Sequence, residues 1–100
     1  MKKKEICTVI RQEEIGDGIF SMWIQTENIG KEAKPGQFVS LYSKDGSKLL
    51  PRPISLCEID RENSSLRLVY RVTGAKTGTE EFSGLKAGDT IPVIGPLGNG

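Results

Sequence analysis

The stretch SLRLVYRV, residues 65–72, alternates without a break. Leu66, Leu68, Tyr70 and Val72 fall on one face, and Arg67, Val69 and Arg71 fall on the other. Successive side chains of a strand point to opposite sides, so this is a strand with one buried face. IFSMWIQ, residues 19–25, repeats the pattern with Phe20, Met22 and Ile24. Shorter strands are expected at residues 6–11, 38–42, 54–59 and 90–94, the first of these alternating poorly. Turn signals separate them: Gly16-Asp17-Gly18, Pro35-Gly36, Asp45-Gly46, Glu62-Asn63-Ser64 and Gly88-Asp89. Short strands punctuated in this way make a small sandwich or a closed barrel.

One hundred residues are the length of one domain. Such a chain buries roughly 60 to 70% of its unfolded surface, enough for one core. The net charge is +1, with both signs interspersed. The only basic run, Lys2-Lys3-Lys4, is too short for a nucleic-acid footprint. The few aromatics, several on apparent core faces, do not make a stacking platform for bases. No apolar run approaches the ~20 residues of a membrane span. EICTVI, after the lysines, is too short and too interrupted for a signal-peptide core, so a cytoplasmic location is expected.

There is no histidine. That removes serine–histidine and cysteine–histidine nucleophile pairs and the commonest metal ligand. Cys7 and Cys57 form no CxxC pair, and two cysteines alone cannot ligate an iron–sulfur cluster. Both are expected to be buried thiols acting as small hydrophobes. No catalytic residue and no metal site are expected within the chain.

TGTEEFSGLKAGD, residues 77–89, breaks the strand pattern and reads as one short helix. Thr77 and Glu80 have the form of a capping box, and Gly84 or Gly88 ends the turn. The amides of Gly78 and Thr79 then stand at the positive end of the helix, where phosphates bind. Glu80 and Glu81 offer the competing reading, in which they satisfy that end themselves. IGPLGNG, residues 94–100, has the composition of a loop or linker after a strand. The expected organisation is a barrel domain over residues 1–94, with residues 95–100 starting a linker to a further domain.

LLPRPISL, residues 49–56, holds one arginine between two prolines. Pro53 biases Arg52 to extended backbone, and Pro51 stiffens the approach. The guanidinium therefore leaves the chain in a nearly fixed direction, suited to bidentate capture of phosphate or carboxylate. The plainer reading is an edge strand protected by prolines, with Arg52 solvated.

Three features occur in order: Arg52-Pro53-Ile54-Ser55, then Val69-Tyr70-Arg71 ending a strand, then Gly78-Thr79 opening a helix. Together with KPGQFVSL (34–41) and GDTIPVIGPLGNG (88–100), they resemble the flavin domain of the ferredoxin-reductase superfamily. More narrowly, the chain resembles the N-terminal domain of the electron-transfer subunit family of class 1B dihydroorotate dehydrogenases. The resemblance implies an all-β, six-stranded antiparallel Greek-key barrel with one short helix, binding FAD along its edge.

It further implies that Arg52 holds the FAD diphosphate and that Ser55 lies near the reactive nitrogen of the isoalloxazine. Pro53 and Ile54 complete that motif. Val69, Tyr70 and Arg71 touch the flavin through backbone and side chains, Tyr70 being a candidate for stacking although its parity is that of the core. Gly78 and Thr79 offer amides and a hydroxyl to the diphosphate. The loop VTGAKT before them is slightly longer than in many family members.

A [2Fe-2S] cluster and NAD enter the family's electron path through regions absent from this chain. The implied partner is the FMN-containing dihydroorotate dehydrogenase catalytic subunit, in a two-plus-two heterotetramer serving pyrimidine synthesis. The fragment alone is expected to be inactive. Two alternatives stand beside this: the FAD subunit of an NADH-dependent ferredoxin:NADP reductase or sulfide dehydrogenase, and a flavin-free barrel interaction module.

Overall fold

The computed structural model describes residues 3–42, 52–72 and 82–98, with Arg52 described by its backbone alone. Six strands close into a barrel: β1 (Lys3–Gly16), β2 (Ile19–Gln25), β3 (Phe38–Leu41), β4 (Arg52–Asp60), β5 (Ser65–Arg71) and β6 (Thr90–Leu97). They are arranged β1-β2-β5-β4-β3-β6, every neighbouring pair antiparallel. β2 neighbours β5 and β3 neighbours β6, the Greek-key crossing expected from the sequence. Closure gives every strand two neighbours.

The alternation read in the sequence is the inward–outward alternation of the barrel wall. Met22 and Ile24 of β2 and Leu66 and Leu68 of β5 are fully buried, and β2–β5 pairing sets Met22 opposite Leu68 and Ile24 opposite Leu66. Burying each such side chain contributes about 1.5 to 3 kcal/mol against leaving it in water.

β1 is far longer than the 6–11 expected. Its first half pairs with β6 and its second half with β2, so one strand turns the corner of the barrel. The turn is made at Ile10, an extra residue between the pairs Val9↔Ile24 and Arg11↔Trp23. Such a bulge bends the strand and shifts its side-chain parity. Cys7 and Val9 point inward before it, and Gln12, opposite Met22, does so after it. That shift is why residues 6–11 alternate poorly.

Two further expectations are corrected. The strand expected over 90–94 continues to Leu97, with Gly95 paired to Lys3 and Leu97 to Phe38, so residues 95–97 are barrel wall. Cys57 is exposed, not buried. The β4–β5 register shifts between Leu56 and Glu58, leaving Cys57 as the unpaired residue on the outer surface. The helix expected over residues 77–89 begins within 73–81, outside the described residues; its described part opens at Phe82, where Leu85 N–H donates to the Phe82 carbonyl at 3.1 Å.

A helix the sequence did not announce, α1 (Ile29–Glu32), follows β2. Asn28 gives it no side-chain cap. The carboxylate of Glu5 does so instead, accepting the amides of Glu27, Asn28 and Ile29 at 2.6 to 3.1 Å. Ile29 is thereby driven into the core. Gly30 packs against the chain at Ser64: a Cβ there would lie 2.6 Å from Thr26 Oγ1 and 2.7 Å from the Ser64 carbonyl carbon.

Candidate functional site

The Arg52-Pro53-Ile54-Ser55 motif is paired into the barrel wall on one side only. These four residues pair with β3, in the register Leu41↔Arg52, Ser40↔Pro53, Val39↔Ile54 and Phe38↔Ser55. On its other side β4 pairs with β5 from Asp60↔Ser65 only as far as Leu56↔Leu68. Continued in the same register, Ser55 stands opposite Val69 and Pro53 opposite Arg71. Pro53 has no N–H, so the ladder cannot be completed there.

The direction of the β5 backbone follows from its other neighbour. Val72 N–H donates to Gly18 O of the β1–β2 turn at 2.8 Å. Backbone groups alternate in direction along a strand, so those of Tyr70 also face β2, while those of Val69 and Arg71 face β4. Where the β4–β5 ladder stops, β5 therefore turns its donors and acceptors towards the proline-bearing half of β4.

The side chains sort by parity. Pro53, Ser55 and Arg71 are exposed on the outer face and Val69 is half-buried there. Ile54 and Tyr70 point inward, at 7% and 5% exposure. Adjacent strands thus bring Pro53, Ser55, Val69 and Arg71 to one outer face, with the Arg52 backbone at its end. Gly78 and Thr79 lie outside the described residues.

Tyr70 is occupied in the interior. Its ring stacks on Phe20 at 5.8 Å between centroids and 18° between planes. Its hydroxyl donates to Gln12 Oε1. Burial pushes its ionisation above the ordinary tyrosine range, an effect the Gln12 hydrogen bond partly offsets.

Two residues were missed in the sequence. Phe38 pairs with Ser55 and so shares its outer face, half-buried, with Gly98 packed on the ring edge. Its position in KPGQFVSL was visible, but its neighbour on β4 is legible only from the register. Gln12 carries no motif at all, and its role emerges only from contacts far along the chain. Outside these, Arg67 lies across the outer surface, its Nε donating to Ser21 Oγ at 2.8 Å and its Nη1 paired with Glu58 at 2.7 Å. Among the described residues no group of three or more histidine, cysteine or acidic side chains is placed to hold a metal.

No protein-family model matches the chain. It is 41% identical over 99 residues to the dihydroorotate dehydrogenase B (NAD(+)) electron transfer subunit of Enterococcus faecalis, covering 99% of this chain and 37% of that protein. A solved structure of an NADH-dependent reduced ferredoxin-NADP oxidoreductase, described for flavin-based electron bifurcation, superposes with a TM-score of 0.81 and 34% identity. That match covers 95% of this chain and 33% of the other. A ferredoxin NADP+ reductase from Neisseria gonorrhoeae with bound FAD and NADP shares the fold, with a TM-score of 0.75 at 18% identity, over 98% of this chain and 39% of the other.

The barrel is of the ferredoxin-reductase kind. Over the 99 residues they share, the chain is a homologue of the dihydroorotate dehydrogenase B electron transfer subunit, spanning 37% of that subunit's length.

Among the described residues no helix is long and apolar enough to cross a membrane.

Proposed function

We propose that this chain holds FAD on the outer face where the β4–β5 ladder stops, and serves as the flavin-binding part of a dihydroorotate dehydrogenase electron transfer subunit. The observation that carries the reading is the Arg52-Pro53-Ile54-Ser55 segment itself. The β4–β5 ladder stops at Leu56↔Leu68, and Ser55, Phe38 and the β4-facing backbone groups of Val69 and Arg71 lie beside the end. These groups suit a flat, largely apolar ring with hydrogen-bonding edges, so the residues present fit the cofactor.

Arg52 supplies the charge-assisted contact to the diphosphate, its backbone set in β4 between prolines. Gly78 and Thr79 add amides and a hydroxyl to the same group. Ser55 directs a hydroxyl at the isoalloxazine, Phe38 flanks it, and Val69 and Arg71 offer backbone donors and acceptors to its polar edge. Bound FAD supplies the exchange between two-electron hydride chemistry and one-electron transfer. The protein's part is to bind and orient it; no general acid or base of the chain is called upon.

In the whole protein the partners would be the FMN-containing catalytic subunit, in a two-plus-two assembly, with a [2Fe-2S] cluster and NAD held by the remaining length. The compartment would be the cytoplasm. The 34% identity to the NADH-dependent ferredoxin-NADP oxidoreductase supports a second reading, the FAD subunit of that enzyme type. The higher identity to the dihydroorotate dehydrogenase subunit favours the first.

Arg52→Ala tests the proposal. Loss of charge-assisted hydrogen bonds worth about 1.5 to 3 kcal/mol weakens FAD binding roughly 10- to 150-fold. An FAD affinity unchanged by the substitution would overturn the role assigned to Arg52.

A further inference from the structure

We propose that Gln12 is a positioning residue for the flavin face, a single amide that ties the end of β5 to the turn at Phe82. The inference rests on the flavin reading above. Gln12 Nε2 donates to the carbonyl of Phe82 at 2.9 Å and to that of Leu85 at 2.8 Å. Its Oε1 accepts the hydroxyl of Tyr70. Both N–H groups and the oxygen of one side chain are thus spent on protein contacts.

The three contacts lie 58, 70 and 73 residues away along the chain. What they join is specific. Tyr70 sits between Val69 and Arg71, the residues whose backbone faces β4. Phe82 follows Gly78 and Thr79 by only a few residues in the sequence. Gln12 holds Tyr70 and Phe82 in a fixed relation.

The geometry also explains why this residue must be an amide. The site presents two carbonyl oxygens and one hydroxyl, and only a side chain with two donors and an acceptor satisfies all three. Glutamate lacks the donors, and leucine leaves two carbonyls and a buried hydroxyl without partners. The bulge at Ile10 is what turns Gln12 inward to reach them. Phe20 completes the arrangement, stacking on the Tyr70 ring so that the hydroxyl is aimed at the amide.

The test compares the wild-type chain with Tyr70→Phe, Gln12→Leu and the double variant, with Ile24→Val as a stability control from the core on β2. Two quantities are read: FAD dissociation constants, and amide hydrogen exchange in the flavin-free protein. The tie predicts faster exchange across residues 82–85 and an FAD dissociation constant about three- to tenfold higher in either single variant. The double variant should bind no worse than the weaker single one, because both substitutions cut the same link. Ile24→Val should leave FAD affinity unchanged.

Unaltered exchange and affinity in Tyr70→Phe would overturn the proposal, as would an equal loss of affinity in Ile24→Val. If Gln12→Leu fails to fold, Tyr70→Phe, which keeps the ring, decides alone. FAD uptake by neither the wild-type chain nor the full-length subunit overturns the flavin reading instead, and accelerated exchange at 82–85 would in that case still support the tie.

Discussion

Phe38 on β3 stands directly opposite Ser55 on β4, and both side chains emerge on the outer face of the barrel. An aromatic ring is thereby set beside the serine of the arginine-proline-x-serine motif. Phe38→Ala is predicted to weaken FAD binding about two- to tenfold, the worth of an aromatic contact. Equilibrium titration checks it, and Phe38→Tyr should recover most of the loss.

Gly30 has no room for a side chain, since the approach of the Ser64 backbone is rigid. Ser64 holds a left-handed φ of 54°, and its carbonyl takes two hydrogen bonds from Thr26. Gly30→Ala should therefore destabilise the fold by about 1 to 3 kcal/mol, measured by urea unfolding.

Glu5 caps a helix from another strand. Glu5→Ala strips the acceptor from the amides of Glu27, Asn28 and Ile29, at a cost of about 1 kcal/mol. Amide exchange at those residues should accelerate while that of β5 stays unchanged.

The two thiols differ in access. Cys57 is exposed and Cys7 is buried, its ionisation pushed up to about 12 by burial. A thiol reagent at pH 8 should label one cysteine in the native chain and both after denaturation. Mass spectrometry should place the first label on Cys57.

Cys7 also gives stability a sign at alkaline pH. The unfolded chain releases this proton near the ordinary value of 9.0, the native chain only near about 12. The native state therefore binds the proton more tightly, and this contribution is fully present below 9.0 and lost as pH rises towards about 12. Unfolding midpoints measured from pH 8 to 11 should fall, less steeply in Cys7→Ala.

What could be read from the sequence follows a physical division. β2 and β5 were legible because Met22, Ile24, Leu66 and Leu68 keep strict alternation. β1 was not, because the bulge at Ile10 breaks the parity that alternation depends on. The exposure of Cys57 was hidden for the same reason on β4. α1 has only four helical residues and owes its cap to Glu5, a contact more than twenty residues distant that no local pattern encodes. At the site, the proline-flanked Arg52 announces itself through local chemistry. Phe38 and Gln12 do not, since their meaning lies in strand register and in long-range hydrogen bonds.

The central claim is tested most directly by titrating the chain with FAD and following flavin fluorescence and visible absorbance. The account predicts saturable uptake of one FAD per chain, weakened by Arg52→Ala. Unchanged flavin spectra at every protein concentration, in this chain and in the full-length subunit alike, would contradict it.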